Sequence, residues 1–172
     1  AIVTLCKRYK FRIVLEDSFG FGALGKTGRG TPEHFGVAMS DIDIYVGSMS
    51  TSLGTVGGFC AGSTMVVEDQ RLAATGSVFS ASLPPYMTSC ASKSIALIDE
   101  RPEIVANLQR NSVLFRSSVR KSKLSAAVTM VEAAGDQSPI VHFRPKLDDK
   151  SDIEVRLNNV VVALDEKRIL TT

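Results

Sequence analysis

Gly47-Ser48-Met49-Ser50-Thr51-Ser52-Leu53-Gly54-Thr55-Val56-Gly57-Gly58-Phe59-Cys60-Ala61-Gly62 is the stretch whose reading decides the fold. It is built almost wholly of small residues and hangs between two runs of a different kind. Before it, Ile42-Asp43-Ile44-Tyr45-Val46 carries the β-branched and aromatic residues that favour a strand. At its far end, Phe59-Cys60-Ala61 reads as a second short strand. Residues 47–56 are then a small-residue loop leaving a strand end, where a scaffold commonly presents its functional groups.

Working outward, Phe11-Arg12-Ile13-Val14-Leu15 is a short apolar run that predicts a buried parallel strand, ending in Glu16-Asp17. The residues from Ala1 are expected to enter a strand as well. Residues 19–30 form a glycine-rich loop, and Thr31-Pro32-Glu33 offers an N-cap, a first-turn proline and an acid, predicting a short helix to about Val37. Downstream, 65–72 is expected to be helical and Val78-Phe79 a short strand. From Pro84 a helix should bury Met87, Cys90 or Ala91, Ile95 and Ile98, at spacings of three and four. Arg101-Pro102 restarts a second helix with an Ile104, Leu108, Phe115, Val119 stripe. Ala126–Glu132 and Ile140–Phe143 read as strands around the turn Gly135–Pro139, and a last helix covers about Ser151–Asp165 with Ser151 as its cap. Strands alternating with helices define an α/β class, with a boundary near residues 121–125.

With 172 residues, 44% hydrophobic and 22% charged, the chain has the composition of an ordinary globular domain. A formal net charge of +2 points neither to nucleic acid nor to an acidic ligand. Cys6, Cys60 and Cys90 are far apart among small or apolar neighbours, and are expected to be buried free thiols in a reducing compartment. His34 and His142 are the only histidines and no CxxC pair accompanies them, so no structural metal site is expected. No apolar run reaches the roughly 18 residues needed to span a bilayer, and the N-terminus lacks a signal-peptide layout. An opening at Ala1 rather than methionine, and an ending on Leu170-Thr171-Thr172, suggest a piece of a longer polypeptide.

Two phosphate motifs match on paper. Gly20-Phe21-Gly22-Ala23-Leu24-Gly25-Lys26-Thr27 satisfies the nucleotide P-loop pattern and follows a predicted strand. A P-loop needs its lysine and threonine to open a helix, however, and here Gly28, Gly30 and Pro32 follow at once. Gly20-x-Gly22-x-x-Gly25 also matches the dinucleotide fingerprint, with Asp41 and Asp43 downstream, and the same missing helix weakens it. Glycines that let a loop turn back tightly explain these residues without a nucleotide.

A third reading covers the whole loop. Gly22, Gly25, Gly28, Arg29 and Gly30, the stretch Gly47–Gly62, and Val78-Phe79-Ser80-Ala81-Ser82-Leu83-Pro84-Pro85 together resemble the α-oxoamine synthases. These are pyridoxal-phosphate (PLP) enzymes that condense an amino acid with an acyl-CoA. The resemblance places the Schiff-base lysine at Thr51, the aspartate that pairs with the cofactor's ring nitrogen at Glu16, and the histidine that contacts the ring hydroxyl at Phe19. A threonine hydroxyl cannot form an imine. Three cofactor positions are thus degenerate, while Ser80 and Ser82 keep the hydroxyls that, in the family, reach across a dimer to the phosphate of the neighbour's PLP. Capping of the helix near Pro84 is their bland alternative.

Within the family, this combination is similar to the lysine-less long-chain-base subunits of serine palmitoyltransferase, densely over residues 9–110 and thinly after Leu124. The resemblance implies a PLP-dependent transferase fold of the aspartate aminotransferase type. Residues 1–100 would be part of the large aminotransferase class I/II domain, and 101–172 the inter-domain helix and an incomplete small α/β domain. It implies a non-catalytic chain in a heterodimer whose lysine-bearing partner holds PLP covalently and condenses L-serine with palmitoyl-CoA at a shared site. It further implies attachment to the endoplasmic reticulum membrane, on its cytosolic face, through segments outside this chain. The alternatives are an active synthase using another lysine, Lys26 or Lys93, and a P-loop NTPase built on Gly20–Thr27.

Thr51→Lys is accordingly not expected to create an active homodimer, because Glu16 and Phe19 also depart from the cofactor pattern. Misplacement near 1 Å can cost about 100-fold in rate. Assay of the single variant without a partner subunit checks this, and robust turnover would overturn it.

Overall fold

The computed structural model describes residues 1–131, 135–146 and 153–169. It opens with helix α1, Ile2–Tyr9, not a strand. Ile2, Leu5, Cys6 and Tyr9 recur at helical spacing, and that period overrides the β-branched run Ile2-Val3-Thr4. Lys10 closes the helix in the left-handed conformation, with its N–H bonded back to the last turn. Phe11 is still tied to that ending through a bond from its N–H to Cys6 O, so β1 is only Val14–Glu16. β1 runs parallel to β2 as expected, but it is not buried, with Val14 63% exposed.

After β1 the chain turns through the glycine-rich loop into α2, Thr31–His34. Gly30, not Thr31, is its cap residue; the Thr31 hydroxyl and N–H are both spent on the Asp17 carboxylate, at 2.5 and 2.8 Å. β2, Ile44–Ser48, pairs antiparallel with β3, Gly58–Gly62, giving a three-stranded sheet in the order β1-β2-β3. Ser63 then caps α3, Thr64–Ala73, by accepting a bond from Val66 N–H. The expected strand at Val78-Phe79 is a single helical turn, α4, Thr75–Val78. Among the described residues no strand lies beside it to take up its backbone groups, and Phe79 stands 84% exposed.

α5, Pro85–Glu100, starts on proline and buries Ala91. Its inward face is Met87, Ala91, Ser94 and Ile98, so Cys90 and Ile95 point outward. α6, Glu103–Lys121, keeps part of the expected stripe, with Val119 buried and Leu108 half-buried, and departs from it at Ile104 and Phe115. Val105, Ser112, Arg116 and Val119 are buried, while Ile104 and Phe115 are 41% and 49% exposed. The burial of Val105 has a visible cause, since Gly28 approaches it so closely that an added Cβ would lie 2.9 Å from its Cγ2. A short turn, α7, Leu124–Ala127, precedes β4, Val128–Val131, which pairs antiparallel with β5, His142–Pro145. β4 starts two residues later than expected because Ala126 belongs to the turn, and β5 is displaced by two residues toward the C-terminus, with Ile140 O occupied by Arg116 Nη2 at 2.7 Å. The last helix, α8, covers Ile153–Glu166; Glu132 and the expected cap Ser151 lie outside the described residues.

The core sits where the two loops following β1 and β2 meet the long helices. Met49, Leu53 and Ala91 are buried together, with Phe21, Phe59, Leu83 and Ile98 packed against them. Phe21, Tyr45 and Phe59 form an aromatic trio with centroids 5.2 to 6.3 Å apart. α6 clamps the glycine-rich loop through Gln109 Nε2, which donates to Ala23 O and Gly25 O at 3.1 and 2.7 Å. α5 holds the second loop through Ser94 Oγ, which donates to Leu53 O at 2.9 Å. All three cysteines are free, but Cys6 and Cys60 are half-buried and Cys90 is exposed, so the expected burial of the thiols does not hold.

Gly30 shows how tightly the loop is built. Its φ is +84°, and a Cβ there would lie 2.2 Å from Asp17 Oδ2. Gly30→Ala should therefore destabilise the protein by about 2–4 kcal/mol, through backbone strain and displacement of a buried carboxylate. Thermal denaturation checks it, and an unchanged melting temperature would contradict the geometry.

Candidate functional site

β1 and β2 are parallel, so Glu16 and Ser48 end at the same edge of the sheet, and α/β proteins place ligands beyond such carboxyl ends. Register puts Glu16, Val46 and Cys60 in one row across the three strands, on one face. That row floors an open cleft of about 840 Å³, walled by Val67, Gln70 and Arg71 of α3 and by the segment Ala81–Leu83.

The residues singled out in the sequence fall unevenly around it. Glu16 and Ser82 line the cleft; Phe19, Thr51 and Ser80 are not among its lining residues. Glu16 Oε1 accepts from the Ser18 hydroxyl and, at 3.1 Å, from Ser18 N–H. Ser18 Oγ also accepts from Ser48 N–H at 2.6 Å, and Ser18 O accepts from the Thr51 hydroxyl at 2.6 Å. Thr51 is thus joined to Glu16 through Ser18, a buried residue that the sequence did not mark. The Phe19 ring is 63% exposed, so it does not fill a pocket of this chain with apolar surface. Ser80 is exposed, with its hydroxyl 3.5 Å from Ala81 O.

Next to Glu16, the buried Asp17 accepts from Tyr45 OH at 2.7 Å as well as from Thr31. Burial, then the Asp17 hydrogen bond and charge, then the charge of Glu16, push the Tyr45 hydroxyl far above the ordinary tyrosine range. Tyr45 is therefore a fixed donor to a carboxylate and not a proton-transfer group.

The loop Gly20–Thr27 is not a P-loop. No helix begins at Lys26 or Thr27; the next starts at Thr31, after Gly28 and Gly30, both at positive φ. Where a phosphate would need donors, Glu33 has taken them: the Thr27 hydroxyl and N–H and Arg29 N–H donate to its carboxylate at 2.9 to 3.2 Å. A carboxylate at that point repels an anion. The dinucleotide reading falls with it, since Asp43 is held by Arg12 and Ile13 N–H, and Asp41 by Lys7.

Among the described residues lining the cleft none is a lysine. Lys93 lies on α5 beside Glu100, 3.8 Å away, and Lys26 on the glycine-rich loop. Covalent attachment of PLP therefore does not fit the described residues of this cleft, whereas hydrogen bonding to a phosphate fits Ser82. The sequence missed Arg71, Gln70, Ser77 and Cys60 as cleft residues. The signal available for two of these was their spacing with Val67 and Ala74 on one face of α3.

Residues 1–168 match the family described as aminotransferase class I and II. The chain is 43% identical over 152 residues to long chain base biosynthesis protein 1b of Oryza sativa subsp. japonica, across 88% of this chain and 31% of that protein. Among solved structures it is similar to the serine palmitoyltransferase of Sphingomonas wittichii, with 33% identity and a TM-score of 0.73, across 88% of this chain and 36% of that one. It is similar too to a serine palmitoyltransferase variant from S. paucimobilis carrying a PLP–myriocin aldimine, with 28% identity and a TM-score of 0.73, across 88% and 37% of the two chains. The chain spans about a third of the length of these relatives. Among the described residues no helix is long and apolar enough to cross a membrane.

The carboxyl of Glu33 offers a test of the loop. Burial raises its pKa, but the bonds from Arg29 N–H, Thr27 and the Arg29 charge together outweigh this and hold it below its ordinary 4.5. A depressed carboxyl stabilises the fold above its unfolded value and loses that contribution as pH falls through its folded one. Glu33→Gln should thus be less stable than the natural chain at neutral pH, with the gap closing as pH drops below about 4.5. Urea denaturation across that range measures it; a gap independent of pH would contradict the assignment.

Proposed function

Because the chain belongs to the aminotransferase class I and II family, we propose that it is the non-catalytic subunit of serine palmitoyltransferase, supporting condensation of L-serine with palmitoyl-CoA. The carrying observation is a cleft at the strand ends that keeps an acid, Glu16, and a hydroxyl, Ser82, but has no lysine among its described lining residues. When bound, PLP supplies the electron sink for the reaction. In this reading a lysine-bearing partner holds PLP covalently, and this chain closes the shared site and orients the phosphate from its own side.

Supporting the pairing, large apolar side chains stand exposed in the stretch of chain that walls the cleft and just beyond it. Leu72, Phe79 and Tyr86 are 81%, 84% and 65% exposed around the segment that carries Ser80 and Ser82. Exposed apolar area of this kind marks an interaction surface. The complex would sit at the endoplasmic reticulum membrane, facing the cytosol, held by segments outside this chain. An active synthase using Lys26 or Lys93 is disfavoured, because neither lines the cleft.

Ser82→Ala tests the reading in the complex of the whole subunit with its lysine-bearing partner. Loss of a hydroxyl bonded to a charged phosphate should weaken PLP by about 1.5–3 kcal/mol, and turnover should fall with it, though Ser82 is not on the PLP-bearing chain. Ser80→Ala should have the smaller effect. PLP affinity is read by absorbance titration; a Ser82→Ala complex that assembles, keeps PLP as tightly and turns over fully would sink the shared site.

A further inference from the structure

α3 sorts its charges. Val67, Gln70, Arg71 and Ala74 recur at i, i+3, i+4 and i+7 and line the cleft, whereas the acids Glu68 and Asp69 of the same helix do not. The orientation is fixed from below, where α3 packs on β3 with Val66 against Gly62, 3.6 Å from where a Cβ would stand. Arg71 has no ion pair or hydrogen bond among the described residues, in contrast to Lys7, Arg12, Arg29, Arg101 and Arg120. The carboxylate it shares the cleft with, Glu16, is already engaged by Ser18. Around it stand the hydroxyls of Ser77 and Ser82 and the backbone of Gly76, where a Cβ would meet nothing within 4 Å.

An uncompensated guanidinium, two hydroxyls and an open stretch of backbone form a donor set for a phosphate ester. We propose that Arg71 is an anion-binding residue of this cleft and takes a phosphate group of a ligand at the shared site. The inference rests on the shared-site reading above. Two ligands of that site carry such a group, PLP and the CoA portion of the acyl donor, and the chemistry of recognition is the same for both.

The whole subunit, paired with its lysine-bearing partner, is compared as the natural chain, Arg71→Gln, Arg71→Lys, and Glu68→Gln as a control outside the cleft. PLP affinity is titrated by absorbance, and KM is measured for palmitoyl-CoA and for a palmitoyl N-acetylcysteamine thioester, which has no phosphate. Arg71→Gln should weaken phosphate-bearing ligands about tenfold or more, with partial recovery in Arg71→Lys. Weaker PLP assigns the cofactor phosphate; a raised KM for palmitoyl-CoA with that for the thioester unmoved assigns the CoA phosphates. An Arg71→Gln complex that forms and turns over, with both affinities within about twofold of the natural chain, overturns the inference and leaves the shared site standing. A natural chain that brings no activity to a lysine-bearing subunit overturns both.

Discussion

The Asp17 carboxylate is the constraint on which the rest of this structure depends. It is 4% exposed, and it receives the Tyr45 hydroxyl from β2 and the Thr31 hydroxyl and N–H from α2. Its backbone N–H is tied to Val46 O, and its carbonyl accepts from Gly20 and Phe21 N–H at the first bend of the loop. One residue thus fastens both ends of the glycine-rich segment to the sheet. A buried charge persists only where its oxygens are fully hydrogen-bonded. The glycines at 20 and 30 follow from it, since side chains at either would strike the carboxylate.

With that loop fixed, the neighbouring geometry is determined. Glu16 is the last residue of β1 and lines the cleft floor, while Asp17, the next residue, turns its carboxylate to Thr31 and Tyr45. Ser18 then bridges Glu16, Ser48 and Thr51. The threonine at the position that the family resemblance gives to lysine is a structural hydrogen-bond donor to two carbonyls, Ser18 O and Ser48 O. The cleft so formed presents the polar groups of Glu16 and Ser82 and has no lysine among its described lining residues.

Much of this was legible in the residues, and the misses have physical causes. β2, β3, α3, α5, α6 and α8 were read from β-branched runs and helical spacing to within a few residues. α1 was misread because its β-branched start outweighed a helical period spanning only Ile2 to Tyr9. The stripe on α6 holds at Val119 but is displaced at Ile104 and Phe115, because the close approach of Gly28 selects Val105 and the carbonyls of Ser138 and Ile140 draw in Arg116. In the sequence, Glu16-Asp17 is only the charged end of a predicted strand; the role of Asp17 emerges when Thr31 and Tyr45, 14 and 28 residues on, come together with it. Arg71 shares a helical spacing with Val67, Gln70 and Ala74, but that this face lines a cleft emerges only when α3 packs beside β3.

The central claim is that the reactive amine of the shared site belongs to the partner. Borohydride reduction of the PLP-loaded complex, followed by peptide mass spectrometry of both chains, tests it directly. The account predicts a pyridoxyl-lysine on the partner's peptide and none on this chain. A pyridoxyl group on Lys26, Lys93 or any other lysine of this chain would contradict it.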